Sequence, residues 1–167
     1  MDVWYVAYGS NMSAARLTCY LEGGCPAGGL QSFAGARDPS PPKAQLPLTL
    51  PGTVFFAGES VTWTGGRAYY DPTEPGHTAA VAYRVTRDQF EDIRAQEPPH
   101  YDRLLELGVL DGCPLLTFTS RLAKHQVPPT KPAAAYLATM SDGLAAAHRW
   151  SPARIDAYFA GLIPEFS

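Results

Sequence analysis

The sequence predicts an α+β fold: a small, mostly antiparallel β-barrel or curled mixed sheet with flanking helices. Three observations lead there. Short runs rich in β-branched and aromatic residues outnumber the helical signals, short turns separate those runs, and the helix starts are marked by capping patterns at Ser13, Thr86 and Ser151. By length, residues 1–167 read as one domain able to bury a single substantial core.

Taken in order, Val3-Trp4-Tyr5-Val6-Ala7 reads as a buried strand, and Ser13 caps a helix through Ala14, Ala15, Leu17, Tyr20 and Leu21. Residues 37–51 carry Pro39, Pro41, Pro42, Pro47 and Pro51, which predict an extended surface loop without ladder donors. Val54-Phe55-Phe56-Ala57, Ala68-Tyr69-Tyr70 and residues 79–85 read as strands. Thr86 with Gln89 forms a capping box that opens a helix whose apolar positions are Phe90 and Ile93. Asp102, Arg103 and Glu106 suggest a helix or an ordered loop. Asp111-Gly112 reads as a hairpin turn into the strand Leu115-Leu116-Thr117-Phe118-Thr119, a reading that Pro114 weakens. Residues 124–132, with Pro128, Pro129 and Pro132, connect to a C-terminal region in which 143–148 reads as a helix. A last helix opens at Ser151-Pro152, runs through Ile155, Tyr158 and Phe159 and stops at Gly161.

The segment with most chemistry is Tyr8-Gly9-Ser10-Asn11-Met12, between the first strand and the first helix. A glycine turn at that junction gathers backbone N–H groups at a point that attracts anions, and Ser10 and Asn11 add polar side chains. From these residues alone, a plain strand-to-helix connection is the favoured reading. Glu97 is the second focus. Seven residues at about 100° each bring it within roughly 20° of Phe90 if the helix continues that far, while Pro98 disfavours helical geometry there and sets it at the helix exit. A carboxylate on an apolar face must be paired, protonated or used. Arg84, Arg94 or a backbone N–H could pair it.

The Tyr-Gly-Ser-Asn loop after an aromatic strand resembles the signature of the γ-glutamylcyclotransferase-like family. Trp63-Thr64-Gly65-Gly66-Arg67-Ala68, and Val81-Ala82-Tyr83-Arg84-Val85-Thr86 followed by a short helix to Ala95-Gln96-Glu97, match two further family segments in the right order. The resemblance spans roughly the first hundred residues and implies a mixed barrel. It also implies conversion of a γ-glutamyl amine or amino acid to 5-oxoproline and free amine, without cofactor or metal. It gives Glu97 the role of catalytic acid and base, and places Tyr8, Gly9, Ser10, Asn11 and Met12 at the substrate. Tyr101 resembles a tyrosine found after that glutamate in relatives, at shorter spacing. One departure stands out: Pro98 follows Glu97 where relatives often have glycine.

Composition fits a small-molecule enzyme. Hydrophobic residues are 46% and charged residues 17%, which excludes the disordered class. A net charge of −3 gives no footprint for nucleic acid or an acidic membrane, and no apolar run is long enough to cross a bilayer. The first residues lead straight into strand sequence, so the expected location is cytoplasmic. Ten arginines against three lysines suit a high-GC bacterial genome. Cys19, Cys25 and Cys113 lack C-x-x-C spacing and read as packing residues. His77, His100, His125 and His148 show no metal-ligand spacing. Two other functions stay open: an amide hydrolase or deacetylase acting on an acylated amine, and a non-catalytic small-molecule binding protein.

Overall fold

The computed structural model describes residues 1–164, so the last three residues of the expected 1–167 domain lie outside the described range. Its centre is strand β1 (Asp2–Ala7), whose Val3, Val6 and Ala7 are fully enclosed. Six residues of β-branched and aromatic type suit a strand covered on both faces. A single 3₁₀ turn (Ser10–Met12) follows, then helix α1 (Ala14–Glu22), capped by the Ser13 hydroxyl at 3.3 Å from the Arg16 N–H.

The remaining elements are β2 (Ala44–Pro51), β3 (Thr53–Ala57), β4 (Arg67–Asp71), β5 (His77–Thr86), α2 (Arg87–Ala95), β6 (Arg103–Leu110), β7 (Cys113–Thr119), α3 (Ala134–Gly143) and α4 (Pro152–Leu162). Five strands form one mixed sheet in the order β2-β5-β1-β7-β6, with β1 antiparallel to β5 and parallel to β7. The sheet is open, with β2 and β6 as its edges, so of the two expected forms it is the mixed sheet and not the closed barrel. Strands β3 and β4 make a separate two-stranded ribbon. One side chain docks that ribbon beside β7: the buried Thr119 hydroxyl accepts from the Tyr70 N–H at 2.8 Å and donates to the Tyr70 carbonyl at 2.9 Å.

Three expectations are corrected. The second half of the proline-rich segment is strand β2, paired with β5 from Ala44 opposite Arg84 to Pro51 opposite His77. An edge strand has one row of donors that faces no strand, which is where proline fits. Residues 103–110 form the other edge strand rather than a helix or loop; Gly108 sits at a bulge there, with φ 133°. The helix expected at 143–148 is α3, which starts earlier at Ala134 and ends in a π turn (Leu144–His148). Gly143 lets α3 lie directly on the 3₁₀ turn, since a Cβ there would stand 2.5 Å from the Met12 carbonyl carbon. Pro114 opens β7 without breaking it, and α4 runs one residue past Gly161. Cys113 is buried, but Cys25 is exposed in the loop after α1, where its thiol donates to the Gly29 carbonyl at 3.2 Å rather than packing in the core.

Topology brings the two sequence foci together. β1 and β5 are antiparallel neighbours, so β5 ends at Thr86 opposite Asp2, far from the Ala7 end of β1. The capping box of Thr86 and Gln89 then turns the chain into α2, which runs back alongside β5 for about 14 Å at 1.5 Å per residue. Phe90 and Ile93 are fully buried beneath it, with the Phe90 ring 6.0 Å from Tyr5 and 5.9 Å from Phe118. The exit of α2 therefore arrives where β1 gives way to Tyr8-Gly9-Ser10-Asn11.

Candidate active site

A cavity of ≈ 370 Å³ opens at that meeting point. Tyr8, Gly9, Ser10 and Asn11 line one side, Glu97 and Tyr101 another, and Arg16, Tyr20, Trp63, Arg67 and Tyr136 complete it. Of the residues expected at the substrate, only Met12 is absent from the lining. Its side chain is buried in the core, and its carbonyl accepts from the Tyr83 hydroxyl at 3.0 Å.

Helix α2 ends at Ala95, and Gln96 caps it in helical conformation, so Glu97 keeps the direction that the periodicity predicts although it lies outside the helix. Gln96 also fixes the exit. Its amide donates to the carbonyls of Tyr20 (2.8 Å) and Asp92 (3.0 Å), and its oxygen accepts from the Gly35 N–H at 3.0 Å. The Glu97 carboxylate is half-buried in the cavity wall. Its Oε1 accepts from the Tyr20 hydroxyl at 2.8 Å and, at a long 3.4 Å, from Asn11 Nδ2. Neither arginine considered from the sequence pairs it: Arg84 bonds Asp2 at 3.1 Å, and Arg94 makes no ion pair with it among the described residues. Burial raises the Glu97 carboxyl above the ordinary carboxylate range, while Tyr20, Arg16, Asn11 and Arg67 pull it back down without cancelling the rise.

The loop opposite is held rigidly. Tyr8 donates to the Phe118 carbonyl at 2.8 Å, and Tyr83 donates to the Asn11 carbonyl at 2.7 Å. Asn11 Nδ2 also reaches the Tyr5 hydroxyl at 2.9 Å, and its Oδ1 is sealed from solvent with no partner among the described residues. Among the described residues, no carbonyl or side chain accepts from the Asn11 N–H. Gly9 has an ordinary negative φ of −113°, so space and not backbone strain requires it: a Cβ there would stand 2.9 Å from Tyr136 Oη and 3.3 Å from Ala68 Cβ. That Tyr136 hydroxyl accepts from the Ala68 N–H at 3.2 Å, and burial pushes its ionisation up to about 12. Tyr101 donates to the Ala68 carbonyl at 2.8 Å, so its hydroxyl faces the ribbon and its ring walls the cavity against Tyr69 and Phe118.

Among the lining groups that sequence reading missed, four carry polar side chains onto the site. Arg16 and Tyr20 are four apart on α1 and so share a helix face, a signal available in the sequence. Arg67 lies within the Trp63 to Ala68 match, where it donates to the Tyr69 hydroxyl at 2.9 Å and to the Glu59 carbonyl. Tyr136 comes from α3, far along the chain, with no local motif. No group of three or more His, Cys, Asp and Glu side chains among the described residues converges as a metal site, and none of the described helices is long and apolar enough to cross a membrane.

Comparison with known proteins gives the fold a relative. Three solved structures superpose on nearly the whole chain. γ-Glutamyl cyclotransferase has a TM-score of 0.64 at 13% identity, covering 96% of this chain and 88% of its own. An uncharacterized protein from Homo sapiens has a TM-score of 0.66 at 14% identity, covering 95% and 87%. YkqA from Bacillus subtilis has 0.63 at 20%, covering 96% of this chain and 54% of its own. In sequence, Histone deacetylase 5 from Arabidopsis thaliana is 32% identical over 199 aligned residues, which cover 95% of this chain. The chain spans 30% of the length of that curated relative. No family model matches the sequence.

Proposed function

We propose that this chain, which has the fold of γ-glutamyl cyclotransferase, catalyses γ-glutamyl cyclotransfer: release of 5-oxoproline and a free amine from a γ-glutamyl amine or γ-glutamyl amino acid. The observation that carries the reading is the Glu97 carboxylate, half-buried and raised above its ordinary range, facing the Gly9-Ser10-Asn11 loop across one cavity. In this reading the loop N–H groups hold the α-carboxylate of the substrate, and the bound γ-glutamyl group folds its α-nitrogen onto its own side-chain carbonyl. Glu97 takes a proton from the α-ammonium, and the freed nitrogen attacks the γ-carbonyl carbon. The tetrahedral oxyanion collapses with cleavage of the amide C–N bond as Glu97 returns the proton to the departing amine, and the second proton of the ring nitrogen passes to the released amine, which leaves as an ammonium. A carboxyl raised by burial is better matched to both transfers near neutral pH than an exposed one. Because the attack is intramolecular, orientation alone supplies on the order of 7–11 kcal/mol. Donors aimed at the oxyanion supply more.

Incubating the protein with a panel of γ-glutamyl amino acids, γ-glutamyl amines and glutathione, and reading 5-oxoproline by mass spectrometry, tests the reading directly. A second reading comes from the Arabidopsis relative: hydrolysis of an acylated amine. It predicts acetate or free glutamate in the same assay, and an activated water. The described residues offer no converging ligand set for a metal that could activate one. Binding of these compounds without any product would favour the non-catalytic alternative.

A further inference from the structure

The geometry points to Arg16 and Tyr20 as a positioning pair that commits one oxygen of Glu97, Oε1, to accepting hydrogen bonds and leaves the other, Oε2, to carry the proton during turnover. The chemistry rests on the cyclotransferase reading; the assignment of the two oxygens rests on geometry alone.

The argument follows from what each group can donate. A guanidinium carries five N–H donors and no acceptor. Arg16 Nη2, 2.9 Å from the Tyr20 hydroxyl oxygen, must therefore be the donor, which occupies a Tyr20 lone pair. The single Tyr20 proton is then directed the other way, to Glu97 Oε1 at 2.8 Å, where Asn11 Nδ2 adds a second, weaker donor. Among the described residues no donor reaches Oε2, and it is not one of the polar atoms sealed from solvent without a partner. Glu97 lines the cavity, so Oε2 is the oxygen left open to it.

Arg16 itself is placed for this task. It is 3% exposed and forms no ion pair within 4.0 Å among the described residues. Its guanidinium carbon lies 4.2 Å over the Tyr20 ring and 4.4 Å over Phe33, with Trp63 at 5.9 Å, and its Nε and Nη1 have no hydrogen-bond partner among the described residues. Aromatic faces thus hold the cation in one orientation, and Glu97, reached through Tyr20, supplies the negative charge it faces. The other ionisable groups around Glu97 are Tyr5 on β1, Tyr8 in the loop, Arg67 on β4, His100 and Tyr101 before β6 and Tyr136 on α3. Burial raises all four of these tyrosines, so they stay neutral while Glu97 titrates, and Arg16 and Arg67 add fixed charge. Because His100 shares the cavity, the Glu97 midpoint is read from the labelled carboxyl itself.

The experiment uses the full chain with ¹³C-labelled glutamate side chains, the Glu97 signal being assigned by its absence in Glu97→Gln. Its titration is followed by NMR without substrate in wild type, Tyr20→Phe, Arg16→Lys and Arg16→Met, and kcat, KM and their pH profiles are measured on a substrate that turns over. Tyr20→Phe keeps the ring and removes only the donor. It should move the Glu97 midpoint to higher pH and lower kcat about 10–100-fold, the worth of one hydrogen bond to a charged group, with KM within about 3-fold. Arg16→Met should move the midpoint the same way, and Arg16→Lys, which keeps the charge, should move it less. If Arg16→Met does not fold, Tyr20→Phe and Arg16→Lys carry the comparison. An unmoved midpoint in folded Tyr20→Phe overturns the assignment, as does a loss confined to KM. Shifted midpoints in a protein that releases no 5-oxoproline would instead keep the positioning pair and remove the cyclotransferase reading.

Discussion

Replacing Glu97 by glutamine separates proton transfer from everything else the site does. The glutamine oxygen can still accept from Tyr20 at 2.8 Å and from Asn11, so the amide group is held as the carboxylate was. Its nitrogen then occupies the place of Oε2, where it can donate but cannot take a proton. Positioned acid and base groups contribute about 10²–10⁴-fold, so kcat should fall by that factor, equivalent to about 3–5 kcal/mol of lost transition-state stabilisation. Substrate affinity, measured by calorimetry, should change little. Stability should move the other way. A carboxyl raised by burial contributes stability that is fully present below its unfolded pKa and is lost as pH rises through its folded value. Ionised Glu97 is therefore a cost to the fold at neutral and alkaline pH. Glu97→Gln should melt no lower than wild type at pH 8 and should lose the part of the pH dependence that lies between the ordinary glutamate value and the raised folded one. Near-normal turnover of Glu97→Gln on a verified γ-glutamyl substrate, or a melting temperature clearly lower at pH 8, would refute the reasoning.

Other perturbations reach the loop, its support and the question of metals. Gly9→Val places new atoms against Tyr136 Oη and Ala68, so KM should rise steeply or turnover vanish, and a substrate lacking the α-carboxylate should react poorly with the unaltered protein; equal rates with and without that carboxylate would show that the loop binds something else. Gly143→Ala forces α3 off the 3₁₀ turn and should cost about 1–3 kcal/mol by denaturant unfolding, with a parallel rise in KM; an unchanged midpoint would mean that α3 yields without cost. Chelation, and joint replacement of Cys19, Cys25 and Cys113 by serine or alanine, should leave kcat intact apart from stability losses from the buried Cys113, whereas activity lost on chelation and restored by zinc would sink the mechanism.

Local signals carried much of the fold into the sequence. The capping box at Thr86, the Ser13 cap and the buried run before Tyr8 each depend on residues within a few positions of one another, and each has its counterpart in the structure. Glu97 was legible for the same reason: helical spacing and Pro98 fix its direction and the helix end. What was hidden depends on partners distant in sequence. Strand β2 contains Pro47 and Pro51, and only its place at the sheet edge, unknown before β5 is positioned, makes them compatible with pairing. Strand β6 is exposed on much of its length and includes Gly108, which blurs its alternation. Arg16 shares a helix face with Tyr20, but its enclosure is not legible locally, because the Phe33 and Trp63 rings around it lie in separate segments. Tyr136 reaches Gly9 and Ala68 only after α3 has packed on the 3₁₀ turn.

The docking of the β3–β4 ribbon divides labour between two bodies. Glu97 and the loop after β1 belong to the five-stranded sheet and its helices, whereas Arg67, Ala68 and the 58–66 turn belong to the ribbon. Since the ribbon is a separate sheet fastened to β7 at Tyr70 by the Thr119 hydroxyl, exposed cavity-lining residues of the 58–66 turn such as Val61 can be exchanged without rewriting a strand register in the larger sheet. Gly65 and Gly66, by contrast, are fixed by the backbone of 130–133 against them. Such a molecule can keep its acid fixed while its opposite wall drifts. What the cavity admits can then be altered at that one turn, with the position of Glu97 unchanged.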